Sequence, residues 1–146
     1  MMSPYFEQAV MNAEPVELVR MLIQKTLLCV REAREHLRRG RIAERALKIG
    51  DAYACLAELH RSLRPEVDQE LVARLQGLYT YMMQRLMDAN MAQADAPLAE
   101  VLNLLTTLAE GWTGVADQLA ARHEGVPDWV ASGAEQEPAY REAVMA

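Results

Sequence analysis

The stretch from Leu71 to Asn90, LVARLQGLYTYMMQRLMDAN, limits the fold of this chain more than any other. It has no Pro and a single internal Gly, and these are the two residues that oppose helix formation most strongly. Its apolar residues recur every three or four positions, in two adjacent rows along one side of a helix. The first row is Leu71, Leu75, Leu78, Met82, Leu86 and Ala89, and the second is Val72, Tyr79, Met83 and Met87. So wide an apolar arc predicts a helix that packs against two neighbours, or against one neighbour and a partner.

Three more segments have the same periodicity and are separated by short breaks at Gly40, at Pro65 and before Pro97. We predict helices over about 15–39, 42–63, 68–92 and 96–121. Short connections make successive helices antiparallel. The predicted fold is therefore all-α, an antiparallel up-down four-helix bundle over residues 1–121 with a short N-terminal segment. Residues 122–146 are punctuated by Gly and Pro and rich in acids, and we expect a partly ordered or disordered tail there.

Composition supports a single helical domain. The hydrophobic fraction is 51% but the aromatic fraction is only 5%, so the core has to be built from Leu, Val, Ala and Met. A length of 146 residues suits one domain, and few β-branched residues alternate with polar ones, which argues against a sheet.

Charge and cysteine content limit the partners and the compartment. The net charge of −6 disfavours binding to nucleic acid or to anionic lipid. No uninterrupted apolar run approaches the roughly 18 residues of a membrane span, and no signal peptide is visible, so we expect a cytoplasmic protein without membrane insertion. Cys29 and Cys55 lie in apolar helical rows, which favours buried free thiols over a disulfide.

The predicted core rows of the other helices follow from the same spacing. They are Val16, Val19, Ile23, Val30, Ala33 and Leu37 on the first helix; Ile42, Ala46, Ile49, Tyr53, Leu56 and Leu63 on the second; and Leu98, Val101, Leu105, Leu108, Trp112, Val115 and Leu119 on the fourth. The second helix has another row, made mostly of small residues: Ala43, Leu47, Gly50, Ala54 and Ala57. Such a row lets another helix approach closely, either a neighbour in the bundle or a bound peptide.

The sequence offers little for catalysis. A di-iron bundle needs Glu three residues before His on facing helices, but residues 33, 57 and 120, three before each His, are all Ala. There is no zinc-like Cys or His spacing, no Gly-rich phosphate loop and no Ser-centred nucleophile elbow. We therefore expect no catalytic residue, no metal and no cofactor. One alternative stays open, because phosphotransfer domains are four-helix bundles with an active His on the second helix, near the position of His60.

Three segments carry a resemblance to a known family. One is the run Leu78-Tyr79-x-Tyr81-Met82-x-x-Arg85-Leu86-x-x-Ala89-Asn90. Upstream lies Ala9-Val10-Met11-x-Ala13-x-Pro15-x-x-Leu18-Val19-x-Met21-Leu22, and downstream Asp95 is followed by Leu98, Val101, Leu104, Leu105, Leu108 and Trp112. In this order they resemble the FliS family of flagellin-specific export chaperones, over about residues 3 to 121.

The resemblance implies a non-enzymatic chaperone that binds the C-terminal helical segment of flagellin, prevents premature polymerisation and keeps flagellin competent for flagellar type III export. It leaves open a second contact with the flagellar export apparatus. A structural bundle that homodimerises is an alternative with the same apolar arcs.

Residues that combine this resemblance with surplus apolar surface are the candidate partner contacts. They are Tyr5, Phe6, Met21, Leu22, Leu28, Leu47, Gly50, Ala54, Tyr79, Tyr81, Met83, Arg85 and Asn90. Tyr5 and Phe6 belong to an apolar N-terminal segment that we expect to lie in a groove a partner could also use.

Overall fold

The computed structural model describes residues 15–63 and 69–122, with side chains described for residues 17–63 and 69–113. These residues form four helices: α1 (Pro15–Arg38), α2 (Ile42–Arg61), α3 (Gln69–Ala92) and α4 (Asp95–Arg122). Each observed boundary lies within two residues of its predicted position. The predicted all-α fold is confirmed for this part of the chain.

The turn between α1 and α2 is built on Gly40. Its φ of 71° lies in the left-handed region, which a glycine adopts without steric cost. The N–H of Arg41 donates to the carbonyl of His36 at 2.9 Å, and the N–H of Gly40 donates to the carbonyl of Leu37 at 3.1 Å. These bonds satisfy carbonyls that the helix end would otherwise leave unpaired, and α2 can then run back along α1.

Polar pairs between helices show how the bundle is arranged. Lys48 pairs with Glu32 at 2.8 Å and Arg85 pairs with Glu100 at 2.7 Å. Both join the end of one helix to the start of the next, so those neighbours are antiparallel. Arg34 and Asp95, 2.8 Å apart, do the same for α1 and α4. Each helix packs against two others, in the ring α1, α2, α3, α4 and back to α1.

The core lies inside this ring. Its largest fully buried side chains are Leu22, Ile23, Val30, Leu56, Leu59, Val72, Met82, Leu86, Leu98, Val101 and Leu105. The core is aliphatic apart from Tyr79 and Trp112, as the low aromatic content predicted. On α3, residues of both predicted rows are buried, so this helix uses most of its apolar arc inside the bundle.

The predicted core row of α2 is wrong in part. Ile42 and Tyr53 are exposed, with 58% and 39% of their surface accessible. The buried apolar residues of α2 are instead Ile49, Ala52, Cys55, Leu56, Leu59 and Leu63. Apolar residues surround most of this helix, so spacing alone did not settle which side faces inward.

A buried arginine of α2 lies at the C-terminal end of α3, whose last turn has no basic residue of its own. Arg45 is only 5% exposed. Its guanidinium donates to the Asn90 carbonyl at 3.5 Å, to Asn90 Oδ1 at 3.4 Å and to Gln93 Oε1 at 3.4 Å. A positive charge at a helix C-terminus is favourable. The Asn90 side chain, one of the candidate partner contacts, thus helps to hold α2 against α3.

Both cysteines are buried free thiols. Burial raises the pKa of Cys29, and it raises the pKa of Cys55 to about 12. Cys55 also has a side-chain hydrogen bond with Thr26 on α1. The thiolate is the reactive species, so both groups are protected by protonation as well as by packing.

We predict that neither thiol reacts appreciably with a disulfide reagent at pH 8 in the folded protein. Both should react rapidly in denaturant, because unfolding restores access and an ordinary pKa. Absorbance of the released thiol measures both rates. A cysteine that reacts in the native protein as fast as a free thiol would contradict the described packing of α1 against α2.

Candidate functional site

The outer side of α2 is a candidate binding surface, and we call it the α2 face. It consists of Ala43, Leu47, Gly50, Tyr53 and Ala54, all exposed. Ala43, Leu47, Gly50 and Ala54 are spaced by four, three and four residues, so they lie in one line along the helix. Leu47 has 58% of its surface accessible, which is a high value for a leucine in the middle of a helix.

Apolar groups from α1 border this face. The Lys48–Glu32 pair fixes the register of the two helices. Because α1 and α2 are antiparallel, Leu28, one turn before Glu32, lies at the level one turn after Lys48. Leu28 is 46% exposed and Met21 is half-buried.

Methionines from α3 border the other side. Arg45 bonds Asn90 across the α2–α3 contact. Met87 and Met83 lie about one and two turns before Asn90, and therefore at the level of residues 49 to 53 on α2. Met87 is 42% exposed and Met83 is half-buried. Methionine side chains adapt to the shape of a partner, so they suit the edge of a binding surface.

The middle of the α2 face has free space above it. A Cβ atom added at Gly50 would meet no other atom within 4 Å. The backbone of α2 is thus open to close approach between the bordering side chains of α1 and α3. This geometry fits an apolar helix laid in a shallow groove.

The structure brings together six of the predicted contacts at this surface, namely Met21, Leu28, Leu47, Gly50, Ala54 and Met83. Leu22 and Tyr79 need a correction, because they are 0% and 3% exposed and belong to the core. Leu22 faces inward on α1 beside Ile23, and Tyr79 is buried on α3 with Val72 and Met82. Burial also raises the pKa of Tyr79. These two side chains are buried in the core and cannot line the surface.

Tyr81 and Arg85 lie elsewhere, on the side of α3 that faces α4. The Tyr81 hydroxyl donates to Glu100 Oε1 at 2.8 Å, and Arg85 Nε donates to the same oxygen at 2.7 Å. Arg85 also donates to Asp88 at 3.1 Å. The hydrogen bonds from Tyr81 and then from Arg85 lower the pKa of Glu100. Tyr81 remains 45% exposed, so its ring is held in place with one side open to solvent.

Two predicted contacts, Tyr5 and Phe6, lie outside the described residues. Tyr53, in contrast, was predicted to lie in the core, whereas the structure exposes it on the α2 face. No three His, Cys, Asp or Glu side chains come together to hold a metal ion among the described side chains of residues 17–63 and 69–113. None of the helices in this part of the chain is long and apolar enough to cross a bilayer.

Comparison with known proteins identifies the family. The model of the family described as flagellar protein FliS matches residues 1–119. The chain belongs to the FliS family. It is 35% identical over 109 residues to the flagellar secretion chaperone FliSB of Pseudomonas aeruginosa, covering 75% of this chain and 86% of that protein. It is 32% identical to flagellar secretion chaperone FliS of Salmonella typhimurium, covering 73% of this chain and 79% of that protein.

Bacillus subtilis has a more distant relative, also a flagellar secretion chaperone FliS, with 29% identity over 74% of this chain and 80% of that protein. The FliS family is a family of flagellar export chaperones and not of enzymes. The phosphotransfer interpretation of His60 is therefore set aside. His60 is half-buried near the end of α2, next to the core residue Leu59.

The hydrogen bonds among Tyr81, Arg85 and Glu100 predict how the contribution of Glu100 to stability depends on pH. The pKa of Glu100 is lower in the folded than in the unfolded chain. Its contribution to stability is therefore present above the unfolded-state value and is lost as pH falls through the folded-state value. Tyr81→Phe should raise the pKa of Glu100 toward its ordinary value of about 4.3, and Arg85→Gln should also raise it, because it removes a charge as well as a hydrogen bond.

Carboxyl chemical shifts recorded by NMR between pH 2 and pH 7 measure these pKa values. An unchanged Glu100 titration in Tyr81→Phe would show that the hydrogen bond is not formed in solution.

Proposed function

We propose that this protein binds the C-terminal helical segment of flagellin on the α2 face, in the cytoplasm, and so prevents premature polymerisation and keeps flagellin competent for export. The observation that supports this most directly is the exposed apolar line on α2 between the apolar borders from α1 and α3. A monomeric bundle gains nothing from leaving such a continuous surface in water. The family assignment adds that a chaperone has to hold a client somewhere on its surface.

The physical basis is helix-in-groove binding. An unfolded client segment loses chain entropy when it orders, and burial of its apolar face on Leu47, Leu28 and the methionines offsets that loss. The small residues Ala43, Gly50 and Ala54 allow the client backbone to lie close to α2, which increases contact per residue ordered. A segment held in this way is unavailable for self-assembly.

The N-terminal segment with Tyr5 and Phe6 enters this proposal as a competitor. Burying a large apolar side chain contributes about 1.5–3 kcal/mol, while fixing each backbone residue costs about 1–2 kcal/mol. A segment that covers part of the client surface is therefore bound weakly and can be displaced. Deletion of residues 1–12 should promote self-association. Hydrogen exchange of residues 5–13 that is equally fast with and without client, and as fast as in an unfolded chain, would refute this.

The first test of the function uses flagellin itself. We expect a 1:1 complex with full-length flagellin and a strongly negative heat-capacity change in calorimetry, because apolar surface is buried as the client orders. Flagellin that lacks its C-terminal helix should lose binding. Equal affinity for the truncated protein would exclude the C-terminal segment as the client site.

A matched pair of glycine substitutions locates the surface. Gly50→Leu places a bulky side chain in the open space of the α2 face, whereas Gly111→Leu makes the same change on α4, across the ring from α2. Neither site has an atom within 4 Å of an added Cβ. Leu also has a higher helix propensity than Gly by roughly 0.5–1 kcal/mol, so both variants should be at least as stable as the parent.

We expect Gly50→Leu to weaken flagellin binding by at least about tenfold, which is ~1.4 kcal/mol, and Gly111→Leu to bind like the parent. Thermal unfolding confirms that both remain folded. If Gly50→Leu binds as tightly as Gly111→Leu, the client does not use the α2 face. Tyr81→Ala, measured alongside, shows whether the α3–α4 side contributes.

Homodimerisation is the second use to which this surface could be put. Two copies could cover each other's α2 faces, because the exposed line of small and apolar residues is self-complementary in chemistry. Light scattering of the free protein gives its mass directly. A monomer at micromolar concentration, together with a 1:1 client complex, would favour the chaperone surface over the dimer interface.

A further inference from the structure

The charge of this chain is strongly uneven. Seven of the fifteen Lys and Arg residues lie between positions 31 and 48, where there are only three acids. This segment, the end of α1 and the start of α2, therefore has an excess of four positive charges in a protein whose net charge is −6. It lies away from the middle of the α2 face, at the end of the bundle that holds the α1–α2 turn.

A cleft of about 500 Å³ opens at this end, lined by Arg31, Arg34, Glu35, Leu37, Arg38 and Asp95. Two of its guanidinium groups are already paired. Arg34 forms a two-point hydrogen bond with Asp95 at 2.8 and 2.9 Å, and Arg38 pairs with Glu35 at 2.6 Å. Glu35 also binds Arg39 at 2.6 Å, so one carboxylate serves two arginines.

Arg31 is exposed and has no hydrogen-bond or ion-pair partner among the described residues. The cleft thus combines a free guanidinium, a carboxylate shared between two arginines and an apolar side chain, Leu37. A carboxylate on a neighbouring chain segment would complete this arrangement, because Arg binds carboxylates in a planar two-point geometry.

The chain itself contains an acidic segment after α4. Residues 123–146 carry five acids and one Arg. They lie beyond the part of the chain that the FliS family model matches, which ends at residue 119. Three of the acids are in the second half of the segment: Glu135, Glu137 and Glu142.

We propose that the second half of this acidic tail docks in the cleft of its own chain. Its carboxylates bind Arg31 and the two arginines that share Glu35, Arg38 and Arg39. The proposal is independent of flagellin binding. It assigns to the cleft an acidic peptide ligand, which any acidic segment of a partner protein would have to displace.

Geometry decides which acids can take part. The tail begins after Arg122 at the end of α4, whereas the cleft is at Asp95, the first residue of α4. At 1.5 Å per residue the 28 residues of α4 separate the two by about 40 Å. An extended chain spans at most about 3.3–3.6 Å per residue. Glu124 and Asp128 are too close to Arg122 to reach the cleft, whereas Glu137 and Glu142 reach it with length to spare.

The contact should be weak and sensitive to salt. Ion pairs between exposed groups contribute little, and closing a loop of this length costs entropy. Docking therefore competes poorly at high ionic strength, where screening shortens the range of the attraction.

Paramagnetic NMR on the full chain tests the proposal. A nitroxide label is attached at Ala139→Cys, since Cys29 and Cys55 are buried. At low salt the amide signals of residues 31–38 should lose more than half of their intensity relative to the reduced label. About 0.5 M NaCl should restore them. A mixture of labelled and isotope-enriched molecules should show no such loss, because the contact is within one chain.

Two matched pairs of variants provide the controls. Neutralising the far acids (Glu135→Gln, Glu137→Gln and Glu142→Gln) should abolish the effect, whereas neutralising the near ones (Glu124→Gln and Asp128→Asn) should preserve it. Arg31→Glu should abolish it, whereas Arg74→Glu, on the exposed side of α3, should not. No signal loss at residues 31–38, loss that persists in Arg31→Glu, or loss seen only in the mixture would each overturn the proposal.

Discussion

The structure depends on one packing constraint. In a ring of four helices each helix has two neighbours, so it can bury an apolar stripe that covers only part of its circumference. The helices of this chain are apolar over more than that. On α3 both rows contribute to the core, through Val72, Tyr79, Met82 and Leu86. On α2 the core uses Ile49, Ala52, Cys55, Leu56 and Leu59, and Leu47, Gly50, Tyr53 and Ala54 are left outside. These exposed residues, which the core does not use, form the candidate binding surface.

Polar contacts determine the register within that ring, and they lie at helix ends. Arg45 supplies the positive charge that the last turn of α3 lacks. Asp95, at the start of α4, binds Arg34 of α1 with both carboxylate oxygens. This hydrogen-bonded pair lowers the pKa of Asp95. Such pairs contribute little individually where exposed, yet their positions specify which residues of neighbouring helices lie side by side.

The sequence was sufficient for the helices and their order because those depend on local periodicity and on breaks such as Gly40. It was insufficient for the faces of α2, where apolar residues lie on nearly every side and the acids Asp51 and Glu58 are buried. Burial of these two acids conceals the usual contrast between a polar outside and an apolar inside. The candidate site was predictable in outline from the line of small residues on α2. Leu22 and Tyr79 were misplaced for the same reason as Tyr53. The spacing of apolar residues defines a row along a helix, but it does not tell whether that row faces the core or the surface.

The central claim is that the surplus apolar side of α2 is covered by a client helix. Hydrogen exchange of the backbone amides, compared in the free protein and in its complex with flagellin, tests this directly. Added protection is predicted along α2 between residues 43 and 54 and at the bordering turns of α1 and α3, with little change on the outer side of α4. Protection concentrated on α4, with α2 unchanged, would contradict the account.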